Sequence, residues 1–159
     1  MTLLSPAAGR CCRKESRAGC RQKRITRTFH MGTGRSILLV DDEKGYRDFY
    51  RFILEPLGCQ VSSACNGEEG LRMAAINNYD IILLDVHMPK MTGAEVLAAI
   101  KKIKPSQLVI IFSSASDPSF NFENKAKQMG AFECLYKPVD LGDMLRVMQR
   151  AFTVLGDIK

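Results

Sequence analysis

No part of this chain is apolar for long. The longest apolar runs, residues 37–40, 81–84 and 108–112, suit buried strands and fall far short of a membrane span. The apolar start Leu3-Leu4-Ser5-Pro6-Ala7 is too short and too interrupted for a secretory signal. Paired thiol motifs are missing as well. No two of Cys11, Cys12, Cys20, Cys59, Cys65 and Cys134 have the C-x-x-C spacing of zinc and redox sites. Free thiols in a reducing cytoplasm are therefore expected.

Acidic residues are scarce only at the start. Residues 1–35 hold nine Arg and Lys against one Glu, a net +8. The rest has 14 basic against 16 acidic residues, a net −2, so the overall +6 belongs to the leading segment and not to the fold. Residues 1–34 show neither helix nor strand period and have few large apolar side chains, the composition of a disordered extension. Met31 opens a Met-Gly-Thr-Gly-Arg stretch just before the first strand and is the expected natural start. A nucleic-acid-binding arm and an Arg-rich organellar transit segment are the competing readings. The remaining length, residues 35–159, suits one domain.

From Ser36 onward strand and helix patterns alternate. Residues 36–40 form a short apolar run ending at acids. Tyr46, Phe49, Tyr50, Ile53 and Leu54 recur at i, i+3, i+4, i+7 and i+8, one face of a helix closed by Pro56 and Gly58. Residues 59–65 read as a second, more polar strand suited to a sheet edge. Asn66 with Glu69 predicts a capping box opening a helix to about Ile76, and residues 80–84 a third strand. Thr92 with Glu95 is a second box. Val96, Ala99, Ile100 and Ile103 supply that helix's apolar face, and Lys104-Pro105-Ser106 ends it. Residues 108–112 are a fourth strand. Asp117-Pro118 predicts the start of a fourth helix that ends near Gly130. Residues 132–136 are a fifth strand, and Asp140 caps a last helix with Leu141, Met144, Leu145, Met148 and Phe152 on one side. Such alternation predicts an α/β fold, a doubly wound five-stranded parallel sheet covered on both faces. With right-handed crossovers the flavodoxin-like order 2-1-3-4-5 fits this length, and ligands then bind beyond the carboxyl ends of the strands.

The residues just past each strand are thus informative. Asp41-Asp42 stand after the first strand, Asp85 after the third, Ser113-Ser114 after the fourth and Lys137-Pro138 after the fifth. All should gather on one rim. Three close carboxylates repel one another and need a cation to offset them. All-oxygen ligands favour Mg2+ or Mn2+ over zinc. With a metal bound, one carboxylate can act as nucleophile toward a phosphoryl group. The metal, an ammonium and a hydroxyl then meet the charge on the phosphoryl oxygens.

The stretches Val40-Asp41-Asp42, Asp85-Val86-His87-Met88-Pro89-Lys90-Met91-Thr92-Gly93, Phe112-Ser113-Ser114 and Tyr136-Lys137-Pro138 closely resemble the response-regulator receiver domain of two-component signalling, over residues 35–155. The resemblance implies that Asp85 is the phosphoacceptor. It implies that Asp42 ligates Mg2+ directly and Asp41 largely through water, with the backbone carbonyl of His87 completing the protein ligands. Lys137 would pair with the phosphoryl group, ahead of a cis peptide to Pro138. Ser113 would turn to a phosphoryl oxygen and report to the face of helix four, strand five and helix five. A histidine kinase or histidine phosphotransfer protein would donate the group, docking by helix one and the strand-end loops. The domain would catalyse its own phosphorylation and dephosphorylation as a signalling switch, not as an enzyme. No output region comes after the fifth helix in this sequence, so a stand-alone switch is expected. It would act through a downstream protein, a phosphorylation-dependent dimer or onward transfer to a histidine.

Two features depart from the family pattern. Receivers place an aromatic residue three positions before the lysine, where this chain has Cys134, which cannot swing as a ring does. Ser113 and Lys137 also stand further apart in sequence than is usual. Ser114 competes with Ser113 as the responding hydroxyl. His87 and Ala115 are expected to tune the access of water, Met88 and Met91 to pack, and Cys59, Cys65 and Cys134 to be core thiols. An aspartyl-nucleophile phosphatase of the haloacid dehalogenase kind would need an acid two residues after Asp85, where His87 stands. A flavodoxin-like FMN binder would need a phosphate loop where Asp41-Asp42-Glu43 would repel the phosphate.

Overall fold

The computed structural model describes residues 34–114 and 122–156. Strands β1 (Ser36–Val40), β2 (Gln60–Ala64), β3 (Ile81–Asp85), β4 (Leu108–Ser114) and β5 (Glu133–Lys137) alternate with helices α1 (Lys44–Leu54), α2 (Gly67–Ile76), α3 (Gly93–Ile103), α4 (Phe122–Gln128) and α5 (Leu141–Val154). The strands pair in parallel as one sheet in the order β2-β1-β3-β4-β5. This is the flavodoxin-like arrangement that the alternation predicts.

Helices cover both faces, so the middle strands are apolar along their interiors and turn polar only at their ends. Ile37, Leu39, Ile81, Leu83, Ile110 and Phe112 point to a core completed by α1 and α5. Leu38, Val40, Ile82, Leu84, Val109 and Ile111 point to a second core beneath α2 and α3. Strand β2 lies at an edge and is mostly half-exposed, as its polar sequence suggests. Gly58, at φ 90°, ends a short 3-10 turn (Glu55–Leu57) just after α1; a left-handed residue there favours glycine.

Several local expectations change in the folded chain. Thr92 and Glu95 form the full reciprocal box at the start of α3. Asn66 caps α2 by accepting from Glu69 N–H, but the Glu69 carboxylate accepts from Cys65 N–H at 2.8 Å, one residue earlier than a box requires. Ile103 is exposed because α3 ends there; Leu97 fills the core instead. Leu141, in the first turn of α5, is exposed too, and the buried face is Met144, Val147, Met148, Ala151 and Phe152. Cys59 and Cys134 are core thiols, whereas Cys65 is exposed beyond the edge strand. The predicted helix start at Asp117-Pro118, and Ala115, lie outside the described residues.

Candidate functional site

Strand alternation decides which strand-end side chains meet. Asp41 continues the series Ile37, Leu39; Asp85 continues Ile81, Leu83; Lys137 continues Leu135. All three therefore project on the side of α1 and α5. One carboxylate oxygen from each of Asp41, Asp42 and Asp85 lies within 4.8 Å of the others. The Lys137 ammonium is 2.8 Å from Asp41 Oδ2 and 2.8 Å from Asp85 Oδ1.

Asp41 and Asp85 are buried, while Asp42 is exposed. Burial pushes the Asp41 carboxyl above its usual range, although Lys137 opposes the shift. Burial alone would lower the Lys137 ammonium, but hydrogen bonding and attraction to Asp41 and Asp85 outweigh it and raise its pKa. Asp41 uses both oxygens, since Oδ1 accepts from Glu43 N–H at 2.9 Å and Oδ2 accepts from Lys137. Asp85 Oδ1 touches Lys137 as an ion pair but outside hydrogen-bond geometry. Together with Ser113 Oγ it is a buried polar atom without a hydrogen-bond partner among the described residues. A buried oxygen short of a hydrogen bond is costly, and at Asp85 a cation or a phosphoryl group would supply the missing bond. Three carboxylates as donors suit a hard divalent cation such as Mg2+.

The loop after β3 is built around close approach. Gly93 N–H donates to the Val86 carbonyl at 3.0 Å. A Cβ at Gly93 would lie 2.2 Å from the Asp85 carbonyl oxygen, so no other residue fits without moving the acceptor strand. Lys90 has φ 68°, and Met91 N–H donates across it to the Pro89 carbonyl at 2.9 Å, a tight three-residue turn. The Lys137–Pro138 peptide is cis.

Two contacts at the site have no signature in the local sequence pattern. Arg47, one turn into α1, donates to the backbone carbonyls of Asp41 at 2.7 Å and Asp42 at 2.9 Å, clamping the acidic loop. Tyr46, on the same turn, places its ring 4.0 Å from the Lys137 ammonium. In sequence Tyr46 is one apolar member of a helix face and Arg47 one solvated cation. The sequence shows only that both stand close to Asp41-Asp42. A cleft of about 320 Å3 opens over the site, with Glu43, Tyr46, Asp85, His87, Ser114 and Lys137 in its walls. Ser114 thus reaches the cleft. Ser113 projects to the other side of the sheet, in line with Val109 and Ile111, and is wholly buried. His87 is exposed at the cleft edge. Cys134 is buried, with its thiol pushed up to about 11 by burial and then by nearby Glu123 and Glu133.

A family model described as the response regulator receiver domain matches residues 37–149, which include every one of these strand ends. The chain belongs to the response regulator receiver family. Among its curated relatives, the DNA-binding transcriptional regulator NtrC of Azospirillum brasilense is 34% identical over 116 residues, 73% of this chain and 24% of the relative. The chain therefore spans about a quarter of that relative's length. A solved receiver domain from Clostridium thermocellum is 35% identical with TM-score 0.70, covering 77% of this chain and 97% of that one. The receiver domain of the sensor histidine kinase PA1611 from Pseudomonas aeruginosa is 26% identical with TM-score 0.68, covering 76% of this chain and 99% of that one. That structure holds a magnesium ion coordinated in its active-site cleft. Receiver domains are signalling modules of two-component systems, phosphorylated by histidine kinases, and bind Mg2+ at an acidic site. Among the described residues, no helix is long and apolar enough to cross a membrane.

Proposed function

We propose that this domain is a Mg2+-dependent switch in which Asp85 accepts a phosphoryl group from a phosphohistidine on a histidine kinase or phosphotransfer protein. The observation that carries the reading is the bridged pair: Lys137 lies 2.8 Å from both Asp41 and Asp85, beside a third carboxylate. In the transfer, an Asp85 carboxylate oxygen attacks phosphorus, the phosphorus–nitrogen bond breaks, and the donor imidazole keeps the electron pair. Hydrolysis later breaks the phosphorus–oxygen bond and releases inorganic phosphate. Asp41, Asp42, Asp85 and the His87 carbonyl would hold the metal, Mn2+ being an alternative to Mg2+. A bound dication would neutralise the carboxylates and the phosphoryl oxygens so that like charges can meet. The hydrogen bonds already made by both Asp41 oxygens support an indirect role for Asp41, through water, and a direct one for exposed Asp42.

Lys137 would exchange a carboxylate partner for a phosphoryl oxygen. Ser114, which lines the cleft, or Ser113, whose buried Oγ would have to turn across the strand, would donate to another. Output would run through α4, β5 and α5. The pairing of Ser113 with Tyr136 supports that route, as does the Tyr136 hydroxyl donating to Glu123 of α4 at 3.4 Å. Residues 35–159 would form this switch, in the cytoplasm.

Intact-mass measurement after incubation with acetyl phosphate tests the reading. One phosphoryl adduct should appear with Mg2+, vanish without it, and be absent from Asp85→Ala. An adduct that persists in Asp85→Ala removes Asp85 as the acceptor.

A further inference from the structure

We propose that Tyr46 is a positioning residue for Lys137, holding the ammonium over Asp85 while it changes partners. The inference rests on the phosphoacceptor reading above but concerns a residue outside the strand-end motifs. Lys137 is nearly buried, with carboxylates on one side and the Tyr46 ring 4.0 Å from its nitrogen on another. The face of an aromatic ring is electron-rich and attracts a cation, more strongly where water is excluded.

The ring is held firmly enough to act as a fixed wall. Tyr46 stacks on Tyr50 at 6.2 Å and 17°, and Tyr50 stacks on Phe112 at 4.6 Å and 11°. Tyr50 and Phe112 are fully buried. This ladder of three rings runs from β4, just before Ser113, to the ammonium. The neighbouring Arg47 clamp ties the same helical turn to the Asp41 and Asp42 carbonyls. Tyr46 is therefore set from beneath and from the side.

A ring face suits this task better than a further polar partner. It attracts the cation without a directional hydrogen bond. Lys137 can then release Asp85 and meet a phosphoryl oxygen without first breaking a third bond. A carboxylate in the same place would compete with the phosphoryl group for the ammonium.

The test uses the full chain with Tyr46→Phe, Tyr46→Leu and a ring-fluorinated phenylalanine introduced at position 46. Fluorination keeps the ring's shape and removes its electron-rich face. The first readout is the rate of phosphoryl uptake from acetyl phosphate with Mg2+, monitored by intact mass. A second is the ring-current shift of the Lys137 methylene protons next to nitrogen, which needs no phosphorylation. Tyr46→Phe should keep the wild-type rate. Tyr46→Leu and the fluorinated variant should slow uptake about three- to tenfold, the span of a partly desolvated cation–π contact. The ring-current shift should persist in Tyr46→Phe and vanish in Tyr46→Leu. Equal rates in all four proteins, or an unchanged Lys137 shift in Tyr46→Leu, overturn the proposal. So does a loss in Tyr46→Phe as large as in Tyr46→Leu, which would make the hydroxyl responsible. If uptake on Asp85 is normal and only the variants fail to differ, the phosphoacceptor reading stands and this inference alone falls. If wild type takes no phosphoryl group on Asp85, both fall, whatever the ring-current shift.

Discussion

Lys137 offsets two buried carboxylates. Its side chain is 9% exposed, with those of Asp41 and Asp85 at 0% and 4%. Lys137→Met would leave two carboxylates facing each other in a poorly hydrated site. Removing one partner of a buried ion pair typically costs about 3–5 kcal/mol. Urea unfolding of Lys137→Met without metal should show a loss of that order, and added Mg2+ should recover part of it. Unchanged unfolding would mean that the pairs contribute no net stability. Gly93 is a second sensitive residue. Gly93→Ala must displace the Asp85 carbonyl or the start of α3, at about 1–3 kcal/mol for an overpacked site. The same variant should also slow phosphoryl uptake, because the backbone that moves carries Asp85. Arg47 reaches the acidic loop through the carbonyls of Asp41 and Asp42. Arg47→Ala should leave folding nearly intact and weaken Mg2+ binding, roughly 10- to 100-fold if it behaves as other outer supports of metal ligands do. Calorimetric Mg2+ titration would show it, and an unchanged affinity would remove the clamp from the site.

At the scale of elements, the two ends of the sheet are secured differently. At the end away from the site, Asp80 just before β3 accepts from Arg35 at 2.8 Å and from the Ser36 backbone N–H at 2.8 Å, locking β1 to β3. Burial alone would raise the Asp80 carboxyl, but the bonds from Ser36 and Arg35 hold it below its ordinary 3.8. A depressed carboxyl stabilises the fold above its unfolded pKa, and this stability is lost as pH falls through the folded value. Asp80→Asn should therefore lower the thermal midpoint at neutral pH, and the gap from wild type should close as pH drops below about 3.8. A gap that stays constant with pH would assign the effect to packing. At the proposed output face, Lys127 of α4 bridges Glu123 at 2.7 Å and Glu133 at 3.2 Å, and Arg150 of α5 pairs with Glu133 at 2.5 Å. These pairs join α4, β5 and α5 but are largely exposed on the cationic side, so each contributes little and salt weakens it. Such a face can rearrange at low cost, as a switch surface must.

For the whole molecule, charge is divided along the chain. The basic excess lies in residues 1–35, and the remaining residues are nearly balanced. Composition makes the leading segment a poor contributor to any core. A chain beginning at Met31 should therefore keep the thermal midpoint and the Mg2+ response of the full chain. If it loses stability, the leading segment packs on the fold. The wound sheet itself brings the strand ends together from distant parts of the sequence, Asp41 and Lys137 being 96 positions apart. Slow pairing of distant segments is the cost of such topology, and the shared rim is its functional return.

Periodicity and strand-end chemistry were enough to predict five strands, their order, and the meeting of Asp41, Asp42, Asp85 and Lys137. Each of these comes from rules that act locally or along a single crossover: apolar runs bury, alternation sets a side, right-handed crossovers fix the order. The cis peptide before Pro138 came from family resemblance rather than from pattern. Other features depended on contacts between elements. Glu69 reaches Cys65 instead of closing its box, Ile103 and Leu141 fall outside the core, and Ser114 rather than Ser113 lines the cleft. Helix periodicity marks Tyr46 and Arg47 only as positions on a face. Which of them leans on Lys137 and which clamps the acidic loop is decided by how α1 packs beside β1 and β5. That packing is a sum over residues far apart in sequence, so no local pattern contains it, and only the folded chain does.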